Sequence, residues 1–489
     1  ESANNSNRSD CQREGGSSDV ITCSEGSSCR SESVDKILGS IMSRVSSQLS
    51  CALVAMLICL SLVAKEIPLS KPERQGFSSE RLKKITEHMN EKVEDGTMAG
   101  GMGLIARNGR IIYQQTYGFA DREAGRAMEN DAIYRIYSMT KPITAVALMV
   151  LYEEGKYRLN DPIARYLPEM ANLEVALSTA GTNMVSDGTT SRTIGTGDES
   201  LVGQTRKPTR QPTVRDLLRH TAGMTYGIFG NTEVDQLYRK AGLLGNEMTL
   251  KQFTTVLGKL PLQYDPGKQW HYSVSVDVQG RLVEALSGMS FGDFLKQRIF
   301  APLDMTDTDF QVTSDNKDRL TQIYQPKGIK PGSFFAAATG QGVEVANPAV
   351  NDRFINGGNF ESGGGGLVST ARDYLRFSQM MLNGGELDGV RLLSPKTIEL
   401  MTTNHLGNVP MGFGRRGSGF GLGFGLVLDP GEVGEVSSAG EYNWGGAAGT
   451  RFWIDPQEQL IGIFMVQSIP HRTRLAGDFK VLAYQALVQ

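Results

Sequence analysis

Ser138 and Lys141 stand three residues apart in the stretch Tyr134-Arg135-Ile136-Tyr137-Ser138-Met139-Thr140-Lys141-Pro142. A serine hydroxyl is a poor nucleophile until a neighbouring base takes its proton. A lysine desolvated among apolar side chains can be that base or help to position one. The residues that follow, Ile143, Ala145, Val146, Leu148, Met149 and Leu151, are apolar almost all round. That pattern suits a buried helix running to about Glu154 and closed by Gly155. Pro142 falls in the first turn, where an amide N–H has no intrahelical partner. Ser138 is thereby expected at a helix N-terminus, with Lys141 one turn on along the same face and the helix dipole favouring negative charge nearby. The competing reading on these residues alone is an N-cap serine beside a lysine that carries its ammonium out to solvent.

Other stretches imitate such motifs. Ser33–Lys36 repeats the spacing in a polar N-terminal tract, and Ser314–Lys317 repeats it in a stretch that reads as a surface loop. Ser314-Asp315-Asn316, in the same stretch, copies another hydrolase motif and is discounted with it. Gly288-Met289-Ser290-Phe291-Gly292 matches G-x-S-x-G, but that motif needs strand, tight turn, helix. Its flanks, Val278–Leu286 and Phe291–Ile299, both read as helices, so Ser290 is expected as an N-cap. His220 closes a short helix from Val214, N-capped by Thr213, and a histidine there is expected to be structural. Ser362-Gly363-Gly364-Gly365-Gly366-Leu367 lacks the G-K-[ST] of a phosphate loop. Its glycines instead allow the close backbone approach that suits the floor of a site.

Composition narrows the class. The 489 residues carry a net charge of −3, with no block of like charge, which argues against nucleic acid as the partner. All five cysteines (Cys11, Cys23, Cys29, Cys51, Cys59) precede position 60, so disulfides and thiolate chemistry are excluded downstream. The histidines show no paired spacing, and no metal or cofactor is expected. Residues 1–41 are rich in Ser, Gly, Asn and Glu and read as a disordered or untranslated leader. From Met42, a short basic start precedes the apolar run Cys51–Ala64, which is the shape of a secretory signal peptide over 42–64. Leu62 departs from the small-residue cleavage pattern. The expected mature domain starts near Lys65 and is periplasmic or secreted, without stable membrane insertion. An uncleaved membrane anchor is the alternative, although the run is shorter than the roughly 20 residues of a helical span.

Several elements must position Ser138. An amphipathic helix is expected over about Ser79–Val93, with Leu82, Ile85, Met89 and Val93 on one face. Asn108-Gly109 between Met102–Ala106 and Ile111–Tyr117 predicts a hairpin, hence an antiparallel sheet with helices packed on it. Residues Ser178–Arg210 lack an apolar period and read as a lid or as disordered. Asp265-Pro266-Gly267 forms a turn before Trp270-His271-Tyr272-Ser273-Val274, and a helix follows over about Asp277–Leu286. Helices are expected over Ala371–Leu382 and Arg474–Leu487, and strands over Gly421–Leu428, Thr450–Ile454 and Leu460–Val466.

Ser138-Met139-Thr140-Lys141, Tyr272-Ser273-Val274 and Trp444-Gly445-Gly446 occur in the order of the three motifs of the serine β-lactamase and penicillin-binding-protein superfamily. With Leu217-Leu218-Arg219-His220-Thr221-Ala222-Gly223 and Pro302-Leu303-Asp304-Met305, the chain from about Ile67 onward resembles the class C branch, and within it the family VIII carboxylesterases. The resemblance implies a mixed α/β (α+β type) β-lactamase-like fold, with an antiparallel sheet built from both ends of the mature chain. The α/β part would cover about 65–140 and 360–489, with an inserted mainly helical part over about 141–359. It implies that Ser138 attacks the acyl carbon, Lys141 keeps the hydroxyl activated and Tyr272 shuttles the proton, with either Lys141 or Tyr272 as first base. The backbone N–H groups of Ser138 and Ala447 would form the oxyanion hole, and Trp444, Gly445, Gly446 and Val274 would meet the substrate.

Two departures shift the expected substrate. Val274 stands where the β-lactam-hydrolysing pattern has an asparagine, and Trp444 where it has a lysine. Both changes favour neutral esters over charged amides, although Arg451 or Arg415 could restore a cation. The expected function is a serine carboxylesterase for short-chain or bulky esters, working through an acyl-enzyme on Ser138 with weak β-lactam hydrolysis. The alternatives are a class C-like β-lactamase or D-Ala-D-Ala peptidase, and a non-catalytic β-lactam-binding or scaffold protein in which Tyr272 and Trp444 are core aromatics.

Overall fold

Asn108 and Gly109 turn the chain through the left-handed region (φ 51° and 69°) and pair β1 (Gly100–Arg107) with β2 (Arg110–Asp121), as the Asn-Gly signal predicts. The computed structural model describes residues 66–178, 181–186, 191–196, 199–329, 341–348, 352–412, 416–471 and 473–489. The expected leader and signal segment, the five cysteines and Arg415 lie outside the described residues.

The short β3 (Arg126–Ala127) extends the hairpin. The remaining strands come from the far end of the chain: β4 (Ser418–Phe420), β5 (Gly425–Val427), β6 (Tyr442–Gly445), β7 (Arg451–Asp455) and β8 (Leu460–Val466). Their order in the sheet is β4-β5-β6-β7-β8-β1-β2-β3, antiparallel throughout, and β8 joins the two chain ends by pairing Gly101 with Val466 and Arg107 with Leu460. The expectation of a single strand over Gly421–Leu428 is corrected: Gly421 donates its N–H to the Phe424 carbonyl, and this tight turn separates β4 from β5.

Strand alternation sorts the core onto two faces. Leu460, Phe464 and Val466 face one side with Trp453, under α1 (Ser79–Glu94) and the closing helix Leu475–Tyr484. Ile461, Ile463 and Met465 face the other, where α2 (Thr140–Glu153), α3 (Ser275–Ser287) and α4 (Ala371–Leu382) lie. Each buried Ile, Leu or Phe on these faces contributes roughly 1.5–3 kcal/mol of hydrophobic stabilisation. Every residue of α2 from Thr140 to Leu151 is buried, so a helix apolar all round is what this position requires.

Between α2 and α4 the chain forms mostly short helices, several opened by Thr caps. Thr213, Thr232 and Thr249 each close a reciprocal capping box. The stretch 178–210, read as a lid or as disordered, holds paired strands among the described residues: Gly181–Ser186 and Ser191–Thr196 pair antiparallel. Thr and Val in the first segment and Thr and Ile in the second carry β propensity without the alternation that a one-sided strand shows.

Candidate active site

Ser138 lies in a one-turn 3-10 helix, Tyr137–Met139, that runs into α2. Tyr137, directly before it, has φ +42°, a left-handed conformation that is strained for a bulky side chain. The N-cap alternative for Ser138 fails, because Met139 occupies that position and no side chain caps the helix. The solvent-seeking alternative for Lys141 fails too, since only 1% of that residue is exposed. Its Nζ donates to Ser138 Oγ at 3.2 Å and to the Gly364 carbonyl at 2.6 Å. Nζ also lies 4.6 Å from the Tyr272 ring centroid and 5.1 Å from that of Tyr226. A lysine so enclosed is fixed in direction, and the serine hydroxyl is its neighbour on the open side.

The glycine run is the floor of this site. A Cβ on Gly364 would fall 2.6 Å from the Tyr226 hydroxyl and 2.7 Å from Asp277 Oδ2, so only glycine lets its carbonyl reach Lys141. The loop is tied to α2 by Thr144 Oγ1, which donates to the Gly363 carbonyl at 2.8 Å, and by the Leu367 N–H, which donates to Thr140 Oγ1 at 3.2 Å. Asp277, on the first turn of α3, accepts at Oδ1 from Ser362 Oγ (2.6 Å) and the Gly364 N–H (3.0 Å).

Tyr272 and Trp444 complete the cluster. The Trp444 indole N–H donates to the Tyr272 phenol oxygen at 3.3 Å, and their rings lie 5.5 Å apart. Around Tyr272 stand Trp270 (stacked, 6.1 Å), Tyr226 (5.3 Å), Phe229 (5.7 Å) and His220 (4.9 Å), while Phe420 packs edge-on against Trp444. His220 is held well below the usual histidine range by burial, by the charge of Lys141 and by His271. It is a neutral ring packed behind Tyr272, which agrees with its structural reading.

Two substrate-facing assignments need correction. Val274 is 0% exposed and packs in the core before α3, because the first turn of that helix faces inward; it offers a substrate no surface. Trp444 is 8% exposed, so most of its ring supports Tyr272 and only an edge reaches the site. Gly445 pairs with Arg451 across β6 and β7, and Arg451 is engaged by Glu435 at 3.3 Å. Gly446 comes against Ile136, with the Ile136 carbonyl 2.5 Å from where a Cβ would sit. The turn carrying Ala447 is thereby brought to the residues that precede Ser138.

The imitations lie elsewhere. Ser290 N-caps the helix Phe291–Leu295, accepting from the Asp293 N–H and donating to the Asp293 carboxylate at 2.7 Å. Ser314 is exposed and donates to Asp315 at 3.0 Å in the 3-10 helix Ser314–Arg319, in place of the plain loop expected. Sequence reasoning missed Tyr226, Asp277, Trp270 and Phe420. The first two carry a weak signal, a polar residue shortly after Gly223 and after Tyr272; the other two carry none.

A profile of the beta-lactamase family matches residues 85–485. Protein Rv1367c of Mycobacterium tuberculosis is 30% identical over 395 residues, covering 78% of this chain and 89% of that protein. Esterase EstB of Burkholderia gladioli is 28% identical over 374 residues, covering 75% of this chain and 85% of EstB. Among solved structures, EstCE1, a hydrolase with promiscuous acyltransferase activity, superposes with a TM-score of 0.65 at 25% identity, covering 83% of this chain and 99% of its own. With the β4-to-β3 antiparallel sheet, the helices on both of its faces and a match over this length, the chain belongs to the beta-lactamase family.

Proposed function

We propose that this protein is a serine carboxylesterase acting on uncharged short-chain or bulky esters through an acyl-enzyme on Ser138. In this reading one member of the Lys141–Tyr272 pair is deprotonated, Lys141 as the free amine or Tyr272 as phenolate. Ser138 Oγ attacks the ester carbonyl and its proton passes to that member, Lys141 Nζ lying 3.2 Å from Oγ and 4.6 Å from the Tyr272 ring centroid. The tetrahedral oxygen is met by the backbone N–H groups of Ser138 and Ala447. Tyr272 then hands the proton to the leaving alcohol, and a water repeats the attack on the acyl-enzyme.

The observation that carries the ester preference is the aromatic cluster around Tyr272, made by Trp444, Tyr226 and Phe229, with buried Phe420 packed behind Trp444. By the resemblance, Trp444 takes the place of the lysine that would meet a β-lactam carboxylate, and Arg451, the cation that could replace it, is paired with Glu435. Names among the similar proteins agree: one is an esterase and one a hydrolase with acyltransferase activity. The test is steady-state kinetics on both substrate classes with one preparation. A short-chain aryl ester is expected to exceed any penicillin in kcat/KM by about 10³-fold or more, roughly 4 kcal/mol of transition-state binding. A penicillin as the better substrate would move the assignment to a β-lactamase.

Export is part of the proposal. Among the described residues no helix is long and apolar enough to cross a membrane. The signal-like run Cys51–Ala64 supports cleavage near Lys65, to be checked by N-terminal sequencing of exported protein.

A further inference from the structure

We propose that Asp277 is a positioning residue for Lys141. Its buried carboxylate holds the glycine loop so that the Gly364 carbonyl receives Lys141 Nζ and keeps that nitrogen against Ser138 Oγ. The inference rests on the Ser138 reaction proposed above.

The geometry is a relay of four groups. Asp277 is 1% exposed, and its Oδ1 accepts from Ser362 Oγ and from the Gly364 N–H. The carbonyl of that same Gly364 takes Lys141 Nζ at 2.6 Å, and the same Nζ reaches Ser138 Oγ. One peptide unit on either side of Gly364 Cα thus connects the carboxylate to the lysine. Among the described residues Oδ2 makes no hydrogen bond, and with the Tyr226 hydroxyl it occupies the space where a Gly364 side chain would start. A carboxylate with an unused oxygen is a poor choice for a purely structural anchor, because desolvating that oxygen costs stability.

The charges around this pair are few. Arg353, from the helix Asp352–Asn356, donates to the Gly365 carbonyl at 2.9 Å and feels Asp277 electrostatically. Tyr226 faces both Asp277 and Lys141, Tyr272 faces Lys141 from before α3, and His220 faces it from beyond the helix Val214–Leu218. Burial pushes the Asp277 carboxyl up, while Ser362, Lys141, the Gly364 N–H and Arg353 pull it back down, leaving it above the usual carboxylate value. A carboxyl raised in the fold contributes stability below its unfolded value and loses that contribution as pH rises through the folded one. As pH rises through that folded value, ionising Asp277 therefore costs stability, which the positioning of Lys141 explains.

The variant Asp277→Asn keeps an acceptor for Ser362 and Gly364 but removes the charge. Steady-state ester kinetics should show kcat reduced about tenfold or more with KM nearly unchanged. The Tm at neutral pH should equal or exceed that of the wild type. The rate of Ser138 labelling by an aryl phosphonate ester, followed by intact mass across pH, should fall with kcat and lose the acid limb that protonation of Asp277 gives the wild type. Ser362→Ala keeps the charge but removes a donor that stabilises it, so its activity should fall off at higher pH on the acid side. An Asp277→Asn enzyme with lowered Tm and unmoved pH limbs would overturn the role of Asp277. Should that variant not fold, an unmoved acid limb in Ser362→Ala would do the same. Absence of label on wild-type Ser138 would instead overturn the underlying reaction, and this role with it.

Discussion

Trp444 Nε1 donates to the phenol oxygen of Tyr272 at 3.3 Å, joining two residues 172 positions apart. A donor on that oxygen stabilises negative charge there if the phenol loses its proton, and it fixes the ring that lies over Lys141. Trp444→Phe keeps the ring and removes the donor, so kcat for an aryl ester should fall about tenfold, the value of one hydrogen bond to a charged group. KM should change little. Trp444→Ala should also lower stability by about 3 kcal/mol through the cavity it leaves. Kinetics and thermal melts on the two variants separate these effects. A Phe variant with wild-type kcat would leave Trp444 as packing only.

Ser138→Ala should reduce ester turnover on the order of 10³-fold or more with little change in Tm. The hydroxyl caps no helix, and it accepts from Lys141. Ser290→Ala should do the reverse, keeping most activity while losing about 1 kcal/mol of stability with its helix cap. Turnover assays and melts on both proteins check this, and a dead Ser290 variant beside an active Ser138 variant would overturn the assignment.

Lys141→Ala and Tyr272→Phe should each cost about 10²-fold or more in kcat, since each removes a partner in proton transfer. The double variant should be little worse than the worse single one, because the two groups lie in contact and act as a unit. A double loss equal to the product of the single losses would argue against a shared proton path.

Asp216 supplies a pH prediction away from the chemistry. It is wholly buried, and burial pushes its carboxyl up, but Arg210, the Thr213 N–H and the Thr221 hydroxyl overcome this and hold it at about 2. A carboxyl lowered in the fold stabilises above its unfolded value near 4, and that stability is lost as pH falls through the folded value. About 2 kcal/mol should therefore disappear between roughly pH 4 and pH 2. Denaturant melts of Asp216→Asn should show lower stability at pH 7 and a flatter profile in that window. The variant should also disturb Tyr272, because Asp216 accepts from Thr221, and the next residue back, His220, accepts the His271 N–H at 2.8 Å.

Features decided within a few residues are legible in the amino-acid sequence itself. The Asn108-Gly109 hairpin, the Thr213 and Ser290 caps, the all-apolar α2 and helix α4 at Ala371–Leu382 depend on turn chemistry and on the 3.6-residue period, which neighbours in sequence settle. The three motifs also name their residues, because nucleophile and lysine share one helical turn. Short strands such as β6, whose residues Tyr442–Gly445 are all but hidden, show no alternation to read and escape the sequence pattern.

Only the tertiary structure decided what each motif residue touches. Lys141 finds its carbonyl acceptor 223 positions away at Gly364, and Asp277 reaches the same loop across 87. Val274, close in sequence to Tyr272, belongs to the core, because the direction of α3 points it inward. Hydrogen bonds and ring contacts act over a few ångströms of space. Spacing in sequence therefore fixes them only inside a helical turn or hairpin, and beyond that the packing of the sheet against α2, α3 and α4 brings the partners together.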